Sequence, residues 1–431
     1  MSDSRKLLSY SVLSLISPFI TLILAIRSLT WKQKKPIFML LSVLFGGTIF
    51  LATSDGYELK KLVFEHYVGL SFDQWLFEFG EIIRFSPEPG TKGDVFSHVS
   101  SYLIGHILGF PDQYFIFVSI VYSYFYVSAM EKILNRKNFT EKNVLFWFIV
   151  VLFVTYRFVD SMQTVRTWTG AWVLFNGVYG FYETKKLKYV FLMLLAPMFH
   201  FAYFGMAMPA YIALFVRRFD PRIFILIYVA SFFTSINPGG IVQQMEQTDL
   251  GESKVKGYYN EEERVSSEGL AKKSGNFYRK YGHGWALKES PHYLALALII
   301  IGLYRRDRMN GLEIGLFTTG ILMATTANFG NFISAFYNRT MINAGIYILA
   351  TTVLLMMRDM LPTSKKHHGN RFKKIILWAA CLTYVPYLIY TAANMISFSS
   401  ASMLVFAPLG FFETYNLSIR QLIGILFLGE K

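Results

Sequence analysis

Runs of about 14 to 20 apolar residues, separated by short basic links, punctuate the whole chain. No other feature limits its folds as much. Within a bilayer each backbone N–H and C=O needs an internal partner, so apolar runs of this kind cross as helices. The composition agrees. Hydrophobic residues make up 53% and charged residues 16%, against about 25% charged in soluble domains. A water-soluble enzyme and a disordered chain are both excluded. Cys381 is the single cysteine, so no intramolecular disulfide can form. The sequence therefore predicts an all-α fold: one integral membrane domain, residues 1–431, polytopic, with about 11–14 transmembrane or re-entrant helices.

The net charge of +14 could suggest nucleic acid, but its distribution argues against that partner. The links around Arg27–Lys35, Lys132–Lys142, Lys185–Lys188, Arg217–Arg222, Arg305–Arg308 and Arg358–Lys374 hold 23 basic residues and six acids. The rest of the chain has 19 basic and 22 acidic residues. All the positive excess lies in one set of loops, the pattern of cytoplasmic loops in a plasma membrane protein.

Residues 7–26 are too long for a secretory signal and predict a retained first span with the N-terminus outside. A second span at 36–52 leads to an acid-rich extracytoplasmic loop, 53–112, in which 96–109 reads as an interfacial or re-entrant helix. Further runs lie at 113–130, 143–159, 168–182, 222–236, 291–304, 311–327, 341–357, 373–392 and 401–412. Segment 189–216 begins and ends at basic links yet is too short to cross a ~30 Å core twice. With Pro197 and Pro209 inside it, a bent re-entrant hairpin is expected, His200 near its tip. A second outer loop, 237–290, is rich in rings. Tyr258, Tyr281 and Trp285 among them suit the apolar faces of sugars, and equally a membrane interface.

Arginines on the outer side need a reason. Arg84, Arg157, Arg166 and Arg339 all fall there, and a guanidinium grips phosphate oxygens in bidentate fashion. Snorkelling to the interface, or pairing with a neighbour such as Asp160, is the structural alternative. His200 is an ionisable group in an apolar setting, either a buried neutral imidazole or a functional residue. Asp55, Glu88 and Asp94 are the outer carboxylates that could serve as a general base. No Cys/His/Asp group has metal-ligand spacing, and no cofactor motif is present.

At these residues the chain resembles the EpsG/Wzy-like family of bacterial polysaccharide polymerases. Four places carry the likeness in order: Asp55-Gly56-Tyr57 after the second span, Glu88-Pro89-Gly90 before an apolar helix, Arg166 to Gly170 and Ala171 opening a span, and a lysine-bearing link leading to His200. Arg339 matches loosely beyond them. Thr167 stands where the family tends to carry an amide, and Gly170 where alanine is usual. The resemblance implies a GT-C-like membrane glycosyltransferase in the bacterial plasma membrane. Its substrates would be oligosaccharide repeat units on undecaprenyl diphosphate, joined at the extracytoplasmic face without metal or cofactor, alongside a flippase and a chain-length regulator. Arg166, with Arg339, Arg157 and Arg84, would hold the leaving diphosphate, and His200, Glu88 or Asp55 would take the acceptor proton. A lipid-linked glycan ligase would use the same donor and arginines, and its large late outer loop also fits 237–290. A flippase or transporter would favour an internal repeat, and none is visible.

Overall fold

The computed structural model describes residues 3–51, 55–86, 93–135, 142–234, 282–302, 309–361, 371–412 and 417–428, with 243 and 247. Glu88, Tyr258 and Tyr281, and residues 237–281 of the expected 237–290 loop apart from 243 and 247, lie outside these residues, and the end of that loop is helical from His283.

The described chain is helical. It opens with α1 (Asp3–Ile16), α2 (Pro18–Ser28) and α3 (Trp31–Thr48), and the 53–112 segment carries α4 (Asp55–Leu62), α5 (Phe72–Ile83) and α6 (Val95–Tyr102). Three longer elements follow: α7 (Tyr114–Leu134), α8 (Val144–Thr155) and α9 (Val165–Thr184). Four short pieces come next: α10 (Lys188–Leu194), α11 (Ala196–Phe199), α12 (Tyr203–Met206) and α13 (Met208–Val216). The remainder is α14 (Pro221–Ala230), α15 (His283–Ile300), α16 (Gly311–Phe329), α17 (Ser334–Met357), α18 (Arg371–Leu382) and α19 (Val385–Phe398), before short C-terminal turns.

Among the described residues three helical stretches are long and apolar enough to cross a membrane: Pro111–Leu134, Val144–Thr184 and Ser334–Met357. The pair α18 and α19, bent by 40°, makes a fourth if taken as one span. At the core lie α9 and α17. Every residue of α17 from Thr340 to Met357 is buried, as expected of a helix apolar on all sides and ringed by others. Helix α7 runs parallel to α9, joined to it by Trp172 Nε1–H donating to Tyr122 Oη (3.3 Å) and Tyr179 O–H donating to the Lys132 carbonyl (2.9 Å). Helix α8 runs the other way, with Tyr126 O–H donating to the Val154 carbonyl at 2.8 Å.

The described residues of the basic links gather at one end of this bundle. Lys35 pairs with Glu131 at 3.0 Å, Lys142 with Asp359 at 2.7 Å, and Arg358 with Glu313. Lys142 also donates to the carbonyls of Met356 and Met357, closing the C-terminus of α17 with a cation.

The first apolar run departs from expectation. Residues 7–26 do not form one crossing helix, because the chain doubles back at Ser17–Pro18. Proline lacks the N–H and forces the residue before it out of the helical region; Ser17 has φ −148° and ψ 86°. The hairpin is closed by Tyr10 Oη and Ser28 Oγ, 2.5 Å apart. Gln33 Nε2–H then donates to Asp3 Oδ1 at 2.8 Å, so the N-terminus returns to the Lys32–Lys35 link instead of lying at the opposite end.

The 189–216 hairpin forms as expected. Tyr211 O–H donates to the Met193 carbonyl at 3.1 Å, which folds α13 beside α10. Tyr182 O–H donates to the Ala213 carbonyl at 2.9 Å and fixes the open end at the basic end of α9. The helix breaks at His200, extended at φ −153° and ψ 124°. This tip reaches the far end of α9, where Tyr203 O–H donates to the Thr167 carbonyl at 2.8 Å.

Candidate functional site

Asp94 sits at the N-cap of α6 but makes no side-chain bond to its own helix. An aspartate there normally accepts from the N–H groups of the first turn. Its carboxylate turns instead toward the hairpin tip and α9. Arg166 of α9 forms an ion pair with Oδ2, the Phe201 N–H donates to Oδ1 at 2.7 Å, and His200 Nδ1 lies 3.2 Å from Oδ1. The other face of the imidazole meets α17, where Arg339 Nη1 is 3.2 Å from His200 Nε2. Two segments far apart in sequence thus converge on one carboxylate whose side chain is only 4% exposed, and a third, α17, joins through His200.

The chemistry of the partners fixes the protons. Arginine only donates, so His200 Nε2 must accept from Arg339. The imidazole is then neutral, with its proton on Nδ1 facing Asp94, the arrangement by which an aspartate orients a histidine base. Burial alone would raise the Asp94 carboxyl. The polar contact with His200, the Arg166 charge and the Phe201 N–H outweigh it and hold the group well below the usual carboxylate range. Two fixed cations against one anion leave the cluster positive overall.

Packing positions these groups. Gly170 lies one turn below Arg166, and a Cβ there would come within 2.6 Å of the Tyr203 ring. The glycine, where the resemblance calls for alanine, is what admits that ring beneath the hairpin tip. Tyr203 Oη also lies 3.3 Å from Asn343 Oδ1, tying the tip to α17 one turn beyond Arg339.

The other expected site residues lie elsewhere. Asp55 is exposed in the first turn of α4; a carboxylate there complements the helix dipole, and the face of α4 that packs inward carries Gly56 and Leu59. Arg84 is exposed and pairs with Glu81 of its own helix at 2.9 Å. Arg157 stacks on Trp168, its guanidinium carbon 3.8 Å from the ring centroid, at the turn between α8 and α9. Trp285 is half-buried against the core, 5.8 Å from the Tyr293 ring.

Two further polar clusters escape a reading of the sequence. In the 53–112 segment Glu78 is buried, with His66 Nε2 at 2.9 Å, while Tyr67 Oη and His98 Nδ1 lie 2.9 Å apart. A glutamate within FDQWLFEFGEII is the one visible sign of it. The second joins Tyr228 to His292 Nδ1 at 2.7 Å, and Tyr337 O–H donates to Glu289 Oε1 at 3.2 Å. Nothing in the local spacing announces it, since α14, α15 and α17 each supply a part.

An apolar groove of about 690 Å³ runs between α2, α3, α7 and α8. Lys34 and Trp31 line its basic end, and Thr155, Phe158 and Val159, around Arg157, line the other.

The chain matches no protein-family model, no curated protein sequence and no solved structure. Function must be argued from the site.

Proposed function

We propose that the chain is a polytopic, GT-C-like membrane glycosyltransferase that polymerises lipid-diphosphate-linked oligosaccharide units at the extracytoplasmic face of a bacterial plasma membrane. The observation that carries this reading is the chain of contacts from Arg166 through Asp94 and His200 to Arg339, at the end of the bundle opposite the basic links. By the charge bias of those links the cluster faces outward, and the N-terminus, beside Lys32–Lys35, is cytoplasmic.

In the proposed reaction the donor's diphosphate lies against Arg166 and Arg339. Arg339 turns from His200 Nε2 to the bound diphosphate, and the acceptor hydroxyl then gives its proton to the freed Nε2 as its oxygen bonds to the donor's anomeric carbon. The bond from that carbon to the diphosphate oxygen breaks, and the lipid diphosphate leaves with the electron pair. Charge developing on the leaving group meets guanidinium groups already in place. Asp94 holds His200 in the tautomer that can accept a proton. Exposed Asp55 is not required for that step. The apolar groove beside Arg157 offers a slot for the polyprenyl chain.

The test is glycan analysis of a deletion strain complemented with wild type, Arg166→Ala, His200→Ala or Arg339→Ala. Loss of long polymer, with single repeat units still reaching the outer leaflet, is the expected result. Units trapped on the inner leaflet would identify a flippase, and polymer retained on its lipid would identify a ligase. Full polymer synthesis by Arg166→Lys would rule out bidentate gripping by that residue.

A further inference from the structure

At the basic end of the bundle a second cavity, of about 230 Å³, lies between the end of α9, the close of the hairpin and the start of α16. Tyr182, Lys185, Arg217, Arg218, Gly311 and Thr318 line it. We propose that this cavity binds a phosphate-bearing group, the headgroup of an anionic membrane lipid at the cytoplasmic interface.

Three cations meet there, and among the described residues the nearby acids are engaged elsewhere. Glu183 accepts from Tyr179 O–H at 3.3 Å, one turn back on α9. Glu313 is paired with Arg358 and also accepts from the Asn310 N–H at 2.9 Å. Asp220 accepts from the Arg222 N–H at 2.9 Å, capping α14. No acid is among the residues that line the cavity.

The cations are also held close together. Lys185 Nζ and the Arg217 guanidinium approach the same ring, Phe181, at 5.7 and 5.5 Å from its centroid. Like charges so placed repel, and a shared anion removes the repulsion. Burial, followed by the Arg217 charge, lowers the Lys185 ammonium below the ordinary lysine value. Gly311 is the first residue of α16, a helix of 19 residues, so the positive end of its dipole adds to the field. The surroundings select the source of the phosphate. The cavity lies where basic residues ring the membrane face, and basic pockets between helices at that level suit phospholipid headgroups. Beside it Phe215 and Phe219 are strongly exposed and available to acyl chains.

The experiment uses the full chain in neutral detergent and follows its thermal unfolding against added short-chain phosphatidylglycerol, phosphatidylcholine or inorganic phosphate. A ligand that binds only the folded form raises the midpoint according to its affinity. Phosphatidylglycerol should protect, phosphatidylcholine should not, and inorganic phosphate should compete weakly. The double variant Arg217→Gln with Arg218→Gln should lose at least about tenfold in phosphatidylglycerol affinity. Lys185→Gln alone, the milder change, should lose about threefold. Lys373→Gln with Lys374→Gln removes equal charge from the start of α18 and should stay within about twofold of wild type. Equal loss in that control would mean a diffuse positive surface and overturn the site. So would equal protection by phosphatidylcholine, or unchanged affinity in both cavity variants. Protection by inorganic phosphate as strong as by the lipid would overturn the lipid assignment in favour of a free phosphate. None of these results depends on glycosyl transfer.

Discussion

The Asp94–Arg166 pair can be tested by a double-mutant cycle that needs no assumption about function. Asp94 is 4% exposed and Arg166 20% exposed at the side chain. Removing one member of a buried pair costs about 3–5 kcal/mol, because the other is left buried and charged. Here each survivor keeps some support: Asp94 retains the Phe201 N–H and His200, and Arg166 retains part of its hydration. Asp94→Asn and Arg166→Ala should therefore each cost about 2–4 kcal/mol, toward or below the lower end of that range. The double variant leaves neither charge stranded and should cost about 3–4 kcal/mol, well short of the sum. The coupling should come out near 2 kcal/mol, within the ~0.5–3 kcal/mol found for groups in contact. The assay is reversible unfolding in mixed micelles by denaturing detergent, on wild type, both single variants and the double. Raising the salt should change the coupling little, because the pair is shielded from solvent. Additivity within about 0.5 kcal/mol would refute the pairing and, with it, the assembly of the site around Asp94.

Three further outcomes are expected from the same unfolding assay. Because Asp94 is held below its ordinary value of 3.8, its stabilisation is complete above that pH and is lost as the pH falls through the folded value. The stability gap between wild type and Asp94→Asn should be flat from about pH 5 to 8 and shrink below about pH 4; a gap that widens on acidification would contradict the assignment. Gly177→Ala would set a Cβ 2.4 Å from Met193 Cγ and 2.9 Å from the Tyr189 carbonyl oxygen, and should cost about 1–3 kcal/mol. A neutral result would mean that α10 does not pack on α9. Lys142→Ala strips three acceptors of their donor, two of them at the C-terminus of α17, and should cost about 1–3 kcal/mol. A loss below about 0.5 kcal/mol would show that bulk water satisfies those carbonyls.

How much of the molecule could be read in advance depended on the range of the physics involved. Apolar run length and local charge are short-range properties, so the helical class, a few of the stretches long enough to cross a membrane and the grouping of Lys35, Lys142 and Arg358 at one end were legible. Most of the ~11–14 expected spans appear among the described residues as shorter or broken helices. The 189–216 hairpin was legible for the same reason, since two prolines and a length limit act within a single segment. Run length alone misled at 7–26. The break at Ser17–Pro18 turned an apparent crossing into a hairpin, because proline's effect on the preceding residue outweighs the continuity of the apolar pattern.

The site lies on the other side of that divide. Arg166, His200 and Arg339 could be nominated singly, as charged groups on the outer side of an apolar chain. That Arg166 and His200 share a partner, that it is Asp94 instead of Asp55, and that Arg339 reaches it through His200, could not be read from any one segment. Asp94 and Arg166 are 72 residues apart, His200 and Arg339 139 apart. The sequence by itself determined the solvent each segment prefers and the chemistry each side chain offers. Only the tertiary structure decided which of those groups meet, because their meeting depends on how α6, α9, the hairpin tip and α17 pack, down to a glycine at 170 that makes room for one ring.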